Sequence, residues 1–337
     1  MDLTAHALNN TYKIVINDKA HLNLNDYIFT NNKLVVILDD KVDETLFSTL
    51  LSKALVFRVT ASEKTKNLET IQNILEFLFK NNITRNDILI SIGGGVTSDI
   101  TGLVASLYKR GINWINIPTT LLAMVDASIG GKVGVNFSSF KNGIGTIKFP
   151  NLVIIDVTTL HTLSKREFNN GLCEALKMGL TLDKSIISLL EDPNNLELLI
   201  QKCIIAKDKI VQKDVYDFSS RHVLNFGHTF GHALEMLSLN SNYPYLHGES
   251  ILLGMQFVSE PKMQKVIASF IKKWNIPHNY DFNKEEIKKL IVNEKKNIDN
   301  KVCIVYLNNY ENYEIKYIDV TNIDNYIAKG RGFNEFK

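Results

Sequence analysis

One segment constrains this chain more than any other: residues 88–92 read Ile-Leu-Ile-Ser-Ile, an almost unbroken apolar run, and feed directly into Gly93-Gly94-Gly95. A strand that is apolar on both faces must be covered on both, which is the situation of a parallel sheet between layers of helix. The helical pattern that follows, through Tyr108, completes a strand, turn, helix order. Glycines let the backbone approach phosphate oxygens, and a helix N-terminus offers free N–H groups at the positive end of its dipole. The turn Gly93-Gly94-Gly95-Val96-Thr97-Ser98-Asp99 falls short of the full GxGxxG fingerprint because Ser98 stands at the last glycine position. Alone, it fits a plain tight βα turn as well as a pyrophosphate site.

The same rhythm runs through the first half of the chain. Residues 12–16, 33–38, 55–59, 87–92, 114–117 and 152–155 read as strands, with helix-length segments such as 67–80 between several of them. A nucleotide would sit at the carboxyl edge of such a sheet. After Asp156 the strand pattern fades, and 165–182, 195–213, 221–237 and 248–270 carry apolar residues at helical spacing. With 337 residues, the chain exceeds the roughly 250–300 at which one hydrophobic core stops growing. The expectation is an α/β Rossmann-like domain over 1–157 and a mainly α-helical domain over 158–337. No repeat or low-complexity tract is present, and the Asn and Lys richness near the end suggests long polar loops and exposed helices.

Charge narrows the partners. Lys plus Arg number 38 against 36 Asp plus Glu, too even for a chain that binds nucleic acid or an anionic membrane through its bulk field. Three widely spaced cysteines, Cys173, Cys203 and Cys303, make no disulfide framework and fit a reducing compartment. No stretch approaches the ~20 apolar residues that span a bilayer, and residues 1–10 lack a basic segment followed by an apolar run. The reading is a cytoplasmic protein.

Two clusters carry chemistry. Pro118-Thr119-Thr120 follows a strand, and 125–136 ends in a second glycine-rich turn bearing Lys132, with Lys141 and Asn142 soon after. Ammonium groups among glycines, hydroxyls and amides suit an anionic ligand. Half of the eight histidines lie between His222 and His247. His228 and His232, four apart, project from one helix face. A catalytic zinc takes three protein ligands and keeps one position open, and two histidines with a carboxylate is a standard set. Glu174, three residues before Lys177, is the candidate carboxylate; His232 and His247 are equally eligible as the second imidazole.

In order along the chain, GGGVTSD (93–99), YKRG (108–111), IPTTLLAMVDASIGGKVGVN (117–136), KNGIG (141–145), EALK (174–177), RHVLNFGHTFGHALE (221–235) and HGE (247–249) resemble the 3-dehydroquinate synthase family, a branch of the sugar-phosphate cyclases, from about 33 to 305. The resemblance implies a dehydroquinate synthase-like fold, an N-terminal NAD-binding α/β domain followed by a helical metal- and substrate-binding domain. It implies Glu174, His228 and His247 as zinc ligands and His232 as an active-site histidine that relays a proton. Arg110, Lys132, Asn142, Lys177 and His232 then carry catalysis. The substrate's phosphate, hydroxyls and carboxylate fall to Arg110, Asp126, Lys132, Asn142, Lys177, Lys207, Arg221, Asn225 and His232, with one of Lys295 and Lys296. NAD contacts fall to Asp39, Glu63, Lys66, Gly94, Gly95, Val96, Asp99, Thr119, Thr120, Asp126, Lys132 and Lys141, with Thr159, Leu160 and Thr162 a weaker match.

The implied activity is that of a carbon–oxygen lyase of the shikimate pathway, which leads to chorismate and the aromatic amino acids. A seven-carbon sugar-acid phosphate is oxidised by NAD, loses phosphate, is re-reduced by the same cofactor and closes by an intramolecular aldol reaction. The ligand set accepts Co2+ as well as Zn2+. A homodimer is implied. The rivals are another sugar-phosphate cyclase and a metal-dependent polyol dehydrogenase. Three departures stand out: Ser98 for glycine, expected to shift the pyrophosphate slightly; Val215 for the glutamate after Asp214; and Glu294-Lys295-Lys296 for an Asp-Lys-Lys.

Overall fold

The computed structural model describes residues 1–7, 10–23, 32–138, 140–192, 195–239, 241–278, 283–292 and 300–330. The chain forms two compact units, Met1–Phe168 with Leu196–Tyr216, and Asn169–Asn195 with Asp217–Lys337.

In the first unit, β1 (Asp2–Ala7), β2 (Asn10–Ile16), β3 (Leu34–Asp39), β4 (Leu55–Val59), β5 (Ile88–Gly93) and β6 (Asn113–Pro118) are followed by a hairpin, β7 (Lys132–Phe137) and β8 (Phe140–Ile147), and by β9 (Leu152–Ile155). All but the hairpin form one seven-stranded sheet in the order β1-β2-β9-β6-β5-β3-β4. Every pairing is parallel except β1 with β2. Alternation of side chains sorts the sheet into two cores. Val35, Ile37 and Leu89 pack with Ile71, Ile74, Leu78 and Ile100, while Val36, Leu38, Ile90, Ile92, Ile115 and Ile117 pack with Phe47 and Leu50.

Short α1 (Ser48–Leu51) lies on the second of these cores, and α2 (Leu68–Lys80) and α3 (Gly95–Leu107) cover the first. Asn67 starts α2 by accepting a hydrogen bond from Thr70 N at 2.9 Å, the expected work of an N-cap amide. The stretch 132–136, which reads as a glycine-rich turn, is strand β7. Val133 and Val135 are buried on one face of it and belong to the first core, so the alternation is that of a strand.

The second unit is mainly helical. It holds most of α4 (Lys165–Thr181), together with α5 (Ser185–Leu189), and helix α6 (Leu196–Lys213) belongs to the first unit. After α6 come α7 (His228–Ser238), α8 (His247–Met255), α9 (Pro261–Lys273), α10 (Lys284–Val292), the antiparallel hairpin β10 (Lys301–Asn309) and β11 (Asn312–Asp319), and α11 (Ile323–Gly330). The sequence pattern draws one boundary, between 157 and 158, whereas the units interleave. Lys207 of α6 bonds Asp126 (Nζ to Oδ1 2.9 Å, Nζ to the carbonyl 2.7 Å), and Asp208 accepts from His6 N at 3.0 Å. The two long helical expectations are each divided. Residues 221–237 break at Gly227, whose φ of +80° is left-handed, and 248–270 break before Pro261, which opens α9 after the extended Glu260. Among the described residues no helix is long and apolar enough to cross a membrane.

Candidate active site

Three elements of the second unit bring the ionisable cluster together. Helix α4 contributes Glu174 and, three residues on, Lys177, both buried. Helix α7 opens with His228 and presents His232 one turn later. Helix α8 opens with His247. The ring centroids of His228 and His232 are 5.3 Å apart, those of His228 and His247 5.4 Å, and those of His232 and His247 5.7 Å. One nitrogen from each lies within 4.8 Å of the others. Glu174 adjoins this trio through His247, with Oε1 at 3.7 Å from Nε2, and Lys177 pairs with Oε2. The carboxylate is fully buried, and beyond the Lys177 pair at Oε2 its Oε1 makes no hydrogen bond. With Lys177 on the other oxygen, Oε1 remains a buried acceptor that a further partner could use.

The hydrogen-bond partners also settle which ring nitrogens carry the proton. His228 Nδ1 lies 3.2 Å from the Phe226 carbonyl, which can only accept, so Nδ1 carries the proton and Nε2 keeps its lone pair. His247 Nδ1 lies 3.4 Å from the Glu235 carboxylate, with the same consequence for the Nε2 that faces Glu174. Burial, and then the charges of Lys177, His232 and His247, hold the His228 imidazole well below its ordinary pKa. It therefore stays neutral, as a ligand must. These residues fit a divalent cation: two imidazoles with Nε2 lone pairs, a buried carboxylate, and a third imidazole at hand.

Just upstream, the 3-10 segment Ser220–Asn225 presents Arg221, almost fully buried, and Asn225. Two residues later the left-handed Gly227 turns the chain into α7; a Cβ there would lie 2.7 Å from the Ile251 carbonyl oxygen.

In the first unit, the carboxyl ends of β3 and β5 place Asp39 and Gly94-Gly95 at the sheet edge. Burial raises the Asp39 carboxyl above its ordinary value against the opposing Lys41 N–H. Thr119 N donates to the Gly93 carbonyl at 2.9 Å, and Thr120 Cγ2 would meet a Cβ on Gly94 at 3.1 Å. Lys66 Nζ pairs with Asp99 Oδ2 at 2.5 Å and donates to Asn142 Oδ1 at 2.6 Å. Burial lifts the Asp99 carboxyl even so, with Lys66 the main opposing charge. Asn136, unmarked by the sequence reading, ties this group together: Nδ2 donates to Glu63 Oε2 at 2.8 Å, and Oδ1 accepts from Asn142 N at 2.8 Å. Asp126 lies in a π-helical turn, Ala123–Ala127. Lys132 and Lys141 are exposed on the hairpin. Arg110 is exposed on a turn where it and Lys109 both have positive φ, 66° and 46°. Val96 packs on the first core, and Thr159, Leu160 and Thr162 sit in the 3-10 turn Val157–Thr162. Lys295 and Lys296 lie outside the described residues.

Residues 56–170 match the family model of the 3-dehydroquinate synthase N-terminal domain, and 171–297 that of its C-terminal domain. The chain belongs to the 3-dehydroquinate synthase family. It is 37% identical over 335 residues to a 3-dehydroquinate synthase of Clostridium tetani, covering 91% of this chain and 89% of that one, and 39% identical over 319 residues to one of Campylobacter concisus, covering 92% and 86%. Solved structures share the fold: a 2-deoxy-scyllo-inosose synthase complexed with carbaglucose-6-phosphate, NAD+ and Co2+ (TM-score 0.86, 21% identity, 99% of this chain and 100% of that one), and a 2-epi-5-epi-valiolone synthase of Streptomyces hygroscopicus with NAD+ and Zn2+ bound (0.83, 24%, 95% and 96%).

Against the 3-dehydroquinate synthase pattern, Ser98 now has a place. It is buried, and its hydroxyl donates to Asn116 Oδ1 at 2.9 Å, an oxygen that also accepts from Ser91 at 2.8 Å. The side chain faces the sheet, so the expected shift of a pyrophosphate has no support in its orientation. Val215 lies in the turn after α6, and Glu294 is outside the described residues.

Proposed function

We propose that this chain converts 3-deoxy-D-arabino-heptulosonate 7-phosphate to 3-dehydroquinate and phosphate, with NAD and a divalent cation, zinc or cobalt, as cofactors. It works as a cytoplasmic homodimer on a small-molecule substrate, a setting that rests on the family resemblance. The observation that carries the reading is the pair of imidazoles, His228 and His247, each with Nδ1 against an acceptor, beside the buried Glu174, in a chain that matches the family over 56–297. Glu174, His228 and His247 hold the metal.

Bound NAD would supply an acceptor for the hydride of the substrate's secondary alcohol and its return within one turnover, and a cation held by Glu174, His228 and His247 would supply acidification of that hydroxyl. His232, whose ring centroid lies 5.3 Å from that of His228 and 5.7 Å from that of His247, takes and returns the hydroxyl proton. Arg221 offers a planar fork that matches the carboxylate of the sugar acid through paired N–H bonds. Asn225 offers an amide to a hydroxyl. Lys177 pairs with Glu174 and holds its carboxylate in place. In the first unit Arg110, Lys132 and Asn142 orient the phosphate, and the departing dianion itself takes the proton beside the new ketone. Asp126 and Lys207, already paired, bind a hydroxyl. Asp39 holds the ribose, Glu63, Lys66, Asp99 and Lys141 flank the nucleotide, and Gly94, Gly95, Val96, Thr119 and Thr120 line its pyrophosphate turn, with Thr159, Leu160 and Thr162 contributing from the segment after β9.

The test is phosphate release from 3-deoxy-D-arabino-heptulosonate 7-phosphate by metal-loaded protein with catalytic NAD and no net NADH. Stoichiometric NADH from simple polyols would replace the reading with a dehydrogenase. Turnover of sedoheptulose 7-phosphate alone would replace it with another cyclase.

A further inference from the structure

His247 is approached from two other helices. Its neighbour Gly248 donates its N–H to Asn170 Oδ1 at 2.6 Å, which pins the first turn of α8 to α4 one turn ahead of Glu174. That bond is made by the backbone of the residue after His247 and does not involve the ring. The ring is fixed by Glu235 of α7, whose Oε2 is 3.4 Å from Nδ1. Glu235 lies seven residues after His228, on the same face as His228 and His232, and its side chain is 9% exposed.

We propose that Glu235 is a positioning residue for the metal centre: it binds the Nδ1 proton of His247, selects the tautomer in which Nε2 carries the lone pair, and aims Nε2 at the ion beside Glu174. The inference rests on the metal reading above and assigns Glu235 a role that reading does not contain. The chemistry requires a charged acceptor here. An imidazole with no partner at Nδ1 divides its proton between the two nitrogens, and the wrong tautomer turns an N–H toward the cation. A carboxylate at Nδ1 excludes that tautomer and makes the ligating nitrogen more basic. The Phe226 carbonyl does the first part of this work for His228 without a side chain, which is why only one carboxylate of this kind is needed.

The experiment is zinc titration of metal-stripped protein against a chromophoric chelator, for the parent chain, E235A, E235Q and H228A. E235A should bind zinc about 10–100-fold more weakly than the parent, the usual cost of losing such a partner, while its metal-free melting temperature is unchanged. E235Q keeps the volume and a neutral acceptor, so it recovers part of the affinity and provides a folded variant should E235A fail to fold. With cobalt in place of zinc, the visible ligand-field bands of E235Q shift relative to the parent, a signature that a purely structural glutamate would not produce. If E235A and E235Q both bind zinc within about twofold of the parent and the cobalt bands are unmoved, the proposal is overturned. H228A separates the two levels: lost zinc binding in H228A with full binding in the Glu235 variants refutes Glu235 alone, whereas full binding in H228A removes the metal reading and the Glu235 role together.

Discussion

Gly248→Ala is a one-atom change whose cost follows from the packing. The added Cβ would lie 2.1 Å from the Asn170 carbonyl oxygen and 2.8 Å from its Oδ1. The first distance is roughly 1 Å short of what a carbon and a carbonyl oxygen tolerate, and the obstacle is helix backbone, which cannot rotate away. Helices α4 and α8 must therefore part, and the Gly248 N–H to Asn170 bond goes with them. Overpacking of about 1–3 kcal/mol and a lost hydrogen bond of about 1 kcal/mol give about 2–4 kcal/mol. For a unit of this size that is a fall in melting temperature of about 4–16 °C. The same displacement carries His247 away from Glu174, because the two ride on the parting helices, and metal ligands tolerate only about 0.2 Å of misplacement. Scanning calorimetry with saturating zinc and with chelator reads both effects: G248A should melt lower in both conditions and should gain less from zinc than the parent. A variant that melts within a degree of the parent and gains as much from zinc would refute the claim that this contact sets the position of His247.

Acid should loosen the first unit through Asp156. Burial opposes its ionisation, but the N–H groups of His21 and Thr158 and their side chains prevail and hold the carboxyl below its ordinary value. Its contribution is thus full above the ordinary aspartate pKa and is lost as the pH falls through the lowered folded value. Urea unfolding as a function of pH should show that acid loss in the parent and not in D156N, which should itself be destabilised by about 2–4 kcal/mol at neutral pH; equal acid slopes for the two proteins would contradict the argument. S98G restores the family's glycine, yet it should cost about 1–2 kcal/mol through the lost bond to Asn116 and a helical glycine. Because Ser98 faces the sheet, NAD affinity by calorimetric titration should not improve, and a clear gain would show that the hydroxyl obstructs the cofactor.

Strands that are apolar throughout announced themselves in the sequence. Ile88 to Ile92 and Leu152 to Ile155 are covered on both faces, so nearly every residue had to be apolar. Strand β11 is the opposite case. Its residues are exposed or half-buried, and Asn-Tyr-Glu-Ile-Lys-Tyr-Ile-Asp reads as polar surface until Val302 to Leu307 are seen to pair with it. The division at Gly227 was hidden because apolar spacing continues on either side of it, and a single left-handed residue leaves no trace in periodicity. Of the site, His228 and His232 were legible as a helical pair and Glu174 as a candidate carboxylate, whereas the choice of His247 over His232 came from family resemblance. What fixes them in space, the Phe226 carbonyl and Glu235, could not be read. A backbone acceptor has no letter in the sequence, and a glutamate seven residues after a histidine looks like ordinary helix surface.

The interleaving of the units reaches beyond geometry. The chain passes from one unit to the other at 168/169, 195/196 and 216/217. Severing the chain at the first crossing leaves the first unit without α6, and so removes Lys207 and Asp208 from Asp126 and His6. During synthesis the sheet has all its strands by Ile155, but the first unit must wait for residue 216 before its last helix is made, so the ribosome will have passed Glu174 before that unit can close.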